Sequence, residues 1–391
     1  MIYLFIILLP LAAASGWIAG FRHHKVSAKF FDNGTNVTIP NEYFIGLNYL
    51  INEQPDKAVD VFIKMLEVNS DTVETHLALG NLFRKRGEVD RAIRIHQNLI
   101  ARPQLEKYQR IQSLSELAQD YLRAGVLDRA ERLFLELIEM GEETTLSYTY
   151  LLNIYQQQKE WNQAITVAKK LQPEVPSMHV ILAFYYCELA ELARAQGQNK
   201  QAHEYVKEAI FWDKNCARAS IITGKLAAEV GDFNQAIRAY KKIKEQNPDL
   251  ISEIVTPLAD CYSKLNLEAD LIQYLQDCLI EYPRVSLVLA LSDYVRKWHG
   301  DAAAIDFLTE KIQHCLSLRG VGRLVDLYVN NAEATTKDKF MLLHQFIGKL
   351  LENKPIYRCL HCGFAGKQLY WQCPSCKRWG AVKTIHGLEG D

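Results

Sequence analysis

Four cysteines near the C-terminal end carry the most specific chemistry in this 391-residue sequence. They read Cys359-Leu-His-Cys362 and Cys373-Pro-Ser-Cys376, with ten residues, Gly363 to Gln372, between the pairs. Two Cys-x-x-Cys pairs joined by a short hairpin bring four thiolates to the corners of a tetrahedron, the geometry of a structural metal site. A redox dithiol does not explain two pairs so close together. Four sulfurs suit one zinc or one iron ion equally well. His361 lies inside the first pair and could exchange in as a ligand, although the four sulfurs already suffice. Gly363 and Pro374 suit the tight turns in which backbone N–H groups point at sulfur. Tyr370, Trp371 and Trp379 flank the second pair and are expected to cover the site.

A segment of about 35 residues is too small to fold on a hydrophobic core alone. The metal must therefore supply its folding free energy, on the order of 10 kcal/mol for structural zinc. From Lys354 onward six Lys or Arg stand against Glu389 and Asp391, so the module is basic by 6 − 2 = +4. An acidic face on the rest of the chain or on a partner is the simplest counterpart.

The remaining sequence has to position this module. Apolar residues make up 49% and charged residues 23%, with a formal net charge of −1. That is the composition of a folded chain, and the near-zero balance argues against nucleic acid as a partner. Nine cysteines cannot all pair in disulfides. Cys187, Cys216, Cys261, Cys278 and Cys315 are scattered through helical-looking sequence and read as buried thiols, in keeping with a reducing compartment.

Residues Ile2 to Gly20 carry no charged side chain. As a helix they would rise roughly 28 Å, close to the thickness of a bilayer's hydrocarbon core. No basic residue precedes them, as a cleaved signal peptide would require, so a membrane anchor is the expectation. Arg22, Lys25 and Lys29 follow the apolar run, and by the positive-inside rule that flank stays in the cytoplasm.

A recurring phrase organises the middle of the chain. It ends on Ala58, Ala92, Ala130, Ala164, Ala202 and Ala236, spaced 34, 38, 34, 38 and 34 residues apart. Gly87, Gly125, Gly197 and Gly231 stand where one helix should end in a left-handed residue. Asp56, Asp90, Asp128, Asn162 and Asn234 are expected to cap the helix that follows. Twelve residues before each alanine comes Gly46, Gly80, Ala118, Leu152, Ala190 or Gly224; four after it comes Phe62, His96, Phe134, Ala168, Val206 or Tyr240. These slots predict helix pairs packed along one core. They resemble the tetratricopeptide repeat, a unit whose arrays hold peptides or proteins in a groove. Beyond Ala236 the pattern weakens, but Pro257 to Tyr282, Ser286 to Leu316 and Val321 to Leu351 read as further helix pairs, giving eight or nine units. In the second unit Asn81, Arg84 and Lys85 form the most polar groove-facing set. No Gly-rich phosphate loop, nucleophile elbow or His-Glu metal pattern is present, so no enzyme is expected.

The cysteine spacing resembles rubredoxin. An uncharged N-terminal run, repeats directly after it and a terminal knuckle form an unusual order. With the stretches Leu77 to Gln97 and Tyr357 to Trp379, that order resembles the lipopolysaccharide assembly protein B (LapB/YciM) family over essentially the whole chain. The resemblance implies an all-α, right-handed tetratricopeptide-repeat solenoid with an N-terminal transmembrane helix and a small rubredoxin-like domain. The expected parts are an anchor at 1–21, a linker at 22–40, the array at 41–352 and the metal domain at 353–391. The resemblance further implies a non-catalytic protein of the cell inner membrane, with repeats and knuckle facing the cytoplasm. Its implied partners are the lipid A deacetylase LpxC, the membrane protease FtsH and an inner-membrane protein that senses lipopolysaccharide; a homo-oligomer stays open. The alternatives are a rubredoxin-like electron carrier and a general assembly scaffold at the membrane.

Overall fold

A computed structural model describes residues 41–52, 54, 57–62, 73–142, 144–352, 354–388 and 390. The expected anchor and linker, and the expected cap Asp56, lie outside these residues. Among the described residues no helix is long and apolar enough to cross a membrane. The protein is mostly helical, a tetratricopeptide-like repeat array followed by a small four-cysteine knuckle. It divides into two compact units, Met1–Ala130 and Glu131–Asp391.

In the first unit α1 (Asn41–Ile51) precedes a helical stretch at 57–62. The helices α2 (Val73–Lys85) and α3 (Val89–Ile100) form the next pair, α4 (Lys107–Arg123) follows, and the division between the units falls within α5 (Leu127–Glu139). The second unit continues with α6 (Thr144–Gln158), α7 (Trp161–Leu171), α8 (Met178–Ala195), α9 (Asn199–Trp212), α10 (Ala217–Glu229) and α11 (Phe233–Lys241). After single turns at Ile243–Gln246 and Pro248–Leu250 come α12 (Ile251–Lys264), α13 (Glu268–Glu281), α14 (Val285–His314), α15 (Leu318–Asn331) and α16 (Ala334–Glu352). Gly300 breaks α14 at φ 83°, so that element is itself a helix pair. Pro257 does not open its helix, which starts six residues earlier at Ile251.

The repeat slots behave as steric reasoning requires. Ala58, Ala92, Ala130, Ala164, Ala202 and Ala236 are all fully buried. Where the upstream slot is glycine, a ring from the second helix lies on the bare Cα. A Cβ at Gly46, Gly80 or Gly224 would approach Phe62, His96 or Tyr240 to 2.6, 2.3 or 2.4 Å. Where that slot is Leu152 or Ala190, the facing residue shrinks to Ala168 or Val206, all four of them buried. The turn glycines Gly87, Gly125, Gly197 and Gly231 have φ of 82°, 76°, 73° and 82°, and Lys159 and Asn266 occupy the same left-handed conformation at 59° and 58°.

The expected caps need correction. Asp90, Asn162 and Asn234 are the second residues of their helices; the cap positions belong to Glu88, Glu160 and Asp232. Of these three, only Asp232 caps with its side chain, accepting from the Gln235 amide at 2.9 Å. Asp90 and Asp128 sit instead in the first turn, where a negative charge meets the positive helix end.

The knuckle is a three-stranded antiparallel sheet of order β2-β1-β3, with β1 Tyr357–Cys359, β2 Ala365–Gly366 and β3 Val382–Thr384. Tyr357 pairs with Gly366 on one side and Thr384 on the other. Its core is only Tyr357, Cys359, Cys373 and Val382, with Phe364, Leu369 and Ala381 packed around them. So small a core leaves the metal to hold the module together.

Candidate metal centre and its docking face

β1 ends on Cys359, and the chain turns at once through Leu360 and His361 to Cys362. The Gly363 amide donates back to the Cys359 carbonyl at 3.0 Å, and Gly363 takes φ 76°. The second knuckle repeats this turn: the Lys377 amide donates to the Cys373 carbonyl at 2.9 Å, and Lys377 takes φ 59°. Each pair thus closes on a left-handed residue directly after its second cysteine. Glycine fills that place in one knuckle and a strained lysine in the other. A bridge between Gln372 and Trp379 closes the second loop.

The four sulfurs lie within 4.8 Å of one another. Cys359 Sγ is 3.7 Å from Cys376 Sγ, and Cys362 Sγ is 3.6 Å from Cys373 Sγ. A regular tetrahedron with metal–sulfur bonds of about 2.3 Å has edges of about 3.8 Å. The sulfurs therefore already stand at ligand spacing, and the donor set fits one metal ion. His361 points to solvent and is not among the gathered ligands.

The electrostatics favour thiolates at one end of the cluster. The Phe364 amide, with help from neighbouring sulfurs, lowers the Cys362 thiol to about 6. The Cys362 amide lowers Cys359 in the same way. Although the Arg378 amide pulls Cys376 down, desolvation and the other three sulfurs push it up to about 11. Four sulfurs sharing one site cannot all hold negative charge unaided. A metal cation held by Cys359, Cys362, Cys373 and Cys376 would supply the countercharge.

The tryptophans flanking the second pair pack against the repeats. Trp379 is half-buried there, with its ring centroid 5.3 Å from Phe184, 5.7 Å from Tyr185 and 6.0 Å from Trp161. Its Nε1 donates to Gln156 Oε1 at 2.9 Å, and Gln372 Nε2 donates to the same oxygen at 2.9 Å. Trp371 sits 6.2 Å from Phe184 on one side and receives the Arg218 guanidinium at 5.3 Å on the other. Only Tyr370 stays near the knuckle's own surface, edge-on to Phe364. The two tryptophans are anchors that fasten the module to α6, α7, α8 and α10.

The strand face of the module meets the acidic counterpart its charge called for. Tyr357 donates its hydroxyl to the Glu253 carboxylate, Thr384 donates to the Asp249 carbonyl at 3.2 Å, and Lys383 Nζ lies 3.8 Å from Asp249. Arg284 pairs with Asp249 at 2.8 Å and also contacts His386. Past the sheet the Leu318 amide donates to the Leu388 carbonyl at 2.8 Å, and Ser317 Oγ donates to the Gly390 carbonyl at 3.1 Å. The module thus packs on the array from Gln156 through Glu253 to Leu318.

The predicted groove set in the first unit has a different environment. Arg84 is drawn into the repeat stack, pairing with Glu116 at 2.5 Å and Asp120 at 2.8 Å. Asp120 is fully buried and takes its second contact from His96 Nδ1 at 2.5 Å. Asn81 is half-buried and Lys85 exposed.

Family models match both the repeats and the knuckle. Residues 357–384 match the family described as a rubredoxin metal binding domain, and residues 75–108 and 187–251 match tetratricopeptide repeats. Lipopolysaccharide assembly protein B of Escherichia coli (strain K12) is 38% identical over 392 residues, covering all of both chains. The protein of that name from Haemophilus influenzae is 35% identical over 403 residues, again covering all of both. A solved structure of Naa15/Naa10 bound to HypK-THB aligns with 79% of this chain and 55% of its own, at 11% identity and a TM-score of 0.42.

Proposed function

Since this chain belongs to the lipopolysaccharide assembly protein B family, we propose that it is a non-catalytic adaptor of the cell inner membrane that regulates lipopolysaccharide synthesis. The apolar run at Ile2 to Gly20 serves as a single-pass anchor, and the repeats and knuckle face the cytoplasm. The adaptor holds the lipid A deacetylase LpxC beside the membrane protease FtsH, and a lipopolysaccharide-sensing membrane protein restrains it. Tethering a substrate next to a protease raises its effective concentration without any chemistry in the adaptor. The right-handed array supplies the holding surface. On the first unit, Asn81 and Lys85 remain the polar candidates for partner contact, while Arg84 orders the stack beneath them.

One observation supports this reading above the others: the full-length match to relatives named for lipopolysaccharide assembly. The metal domain fits the same role as a structural part. Its tryptophans are committed to the repeats, so a bound zinc or iron ion would stiffen the middle of the array. When bound, the ion supplies cross-linking of four thiolates; Cys359, Cys362, Cys373 and Cys376 would hold it. The test is co-purification from membranes through a tag on this chain. Recovery of both the deacetylase and the protease is the expected result. Recovery of neither, from cells in which both are present, contradicts it.

A further inference from the structure

Away from the knuckle, two other thiols meet inside the second unit. Cys187 lies in α8 and Cys216 is the cap residue of α10, and their sulfurs are in van der Waals contact at 3.8 Å. Cys187 is fully buried and Cys216 is 5% exposed. We propose that Cys187 and Cys216 form a reversible disulfide on exposure to peroxide, and that this bond acts on the seat of the metal knuckle.

The two sulfurs are chemically unequal. The hydrogen bond from Cys187 lowers the Cys216 thiol, and the Ala219 amide, at the positive start of α10, adds to the effect. Burial pushes Cys187 well up, so it keeps its proton. Cys216 is therefore the attacking thiolate. It displaces hydroxide from hydrogen peroxide and becomes a sulfenic acid. The Cys187 sulfur then attacks the Cys216 sulfur; the S–O bond breaks, and the departing oxygen leaves as water with the Cys187 proton. Overall two thiols and one peroxide give one disulfide and two waters. A dithiol reductant reverses the change.

The consequence follows from what adjoins each cysteine. Glu188, next to Cys187, pairs with Arg218, two residues past Cys216, at 2.7 Å. That guanidinium lies over Trp371 of the knuckle at 5.3 Å. A disulfide bond is about 2.05 Å long, so oxidation draws the two sulfurs nearly 2 Å together. The pair that holds Trp371 moves with them, because a close-packed interior transmits such a shift.

The experiment treats the full-length, metal-loaded protein in detergent with hydrogen peroxide, then traps free thiols with an alkylating agent under acid. Mass spectrometry of the unreduced digest looks for the peptides holding Cys187 and Cys216 joined, two hydrogens lighter than the separate pair. Hydrogen exchange across residues 369–380 reads the seat of the knuckle. The proposal expects the linked peptide while the metal is still bound, its loss on dithiol treatment, and altered exchange at 369–380. Cys216→Ala removes both changes. In Cys187→Ala the Cys216 sulfenic acid persists and is captured by dimedone, which keeps the test usable if one variant folds poorly. If Cys187 and Cys216 stay reduced while Cys359, Cys362, Cys373 and Cys376 oxidise and release metal, the proposal is overturned.

Discussion

Gly80 has no side chain because the His96 imidazole occupies the space, with Nε2 only 2.3 Å from where a Cβ would stand. The same ring holds the buried Asp120 through Nδ1, so it cannot swing aside without breaking that contact. Gly80→Ala should therefore destabilise the first unit by roughly 1–3 kcal/mol, the usual cost of overpacking a filled core. The urea midpoint measures it, and an unchanged midpoint would show that the ring yields freely. At the metal site the same scale of reasoning predicts the effect of a chelator. With its four ligands emptied, the module retains only the core around Tyr357 and Val382. Hydrogen exchange at 357–384 should then rise towards that of an unfolded segment, while α6 to α11 stay protected. Continued protection of the strands after metal removal would mean that docking alone holds the fold.

At the level of elements, much of the array could be read in advance. Small residues and left-handed glycines leave a local steric signature, so the buried alanines and the turn at Gly87 were visible in the residues themselves. The caps were displaced by two positions. The turn geometry puts Glu88, Glu160 and Asp232 at the helix starts, and the recurrent Asp or Asn falls inside the first turn. Lys159 shows how the same turn tolerates a poor residue. It stands at φ 59° where Gly87, Gly125, Gly197 and Gly231 hold the equivalent place. Lys159→Gly should raise stability by about 0.5–1 kcal/mol, because relief of left-handed strain outweighs the extra chain entropy of glycine. Thermal unfolding decides this, and a lower midpoint would show that the lysine side chain contributes more than its backbone costs.

Across the whole molecule, the aromatic contacts that seat the knuckle were not legible. Gln156 and Trp379 meet across 223 positions, and nothing local in either segment announces the other. The two tryptophans had the hydrophobicity expected of a metal-site cover, and their packing on the repeats could not be read from it. Arg84 looked like a groove residue because its partners Glu116 and Asp120 arrive from the following helix pair. The basic charge of the module did carry information, since Asp249 and Glu253 receive it. Trp379→Ala should free the knuckle from the array while leaving its metal content intact. Removing a large aromatic side chain costs about 3–5 kcal/mol in a core, and the loss of the half-buried Trp379 should approach the lower end, enough to undo docking of so small a module. Limited proteolysis between Glu352 and Tyr357 reads the release; a variant as resistant as the parent would mean that the acidic contacts suffice.

The adaptor reading itself rests on one cellular quantity, the half-life of the lipid A deacetylase. It is measured by pulse-chase in cells depleted of this chain and again after restoring it at normal levels. A deacetylase that becomes long-lived on depletion and short-lived on restoration is the predicted result. An unchanged half-life in both states would contradict the adaptor and leave an anchored repeat scaffold with a different client.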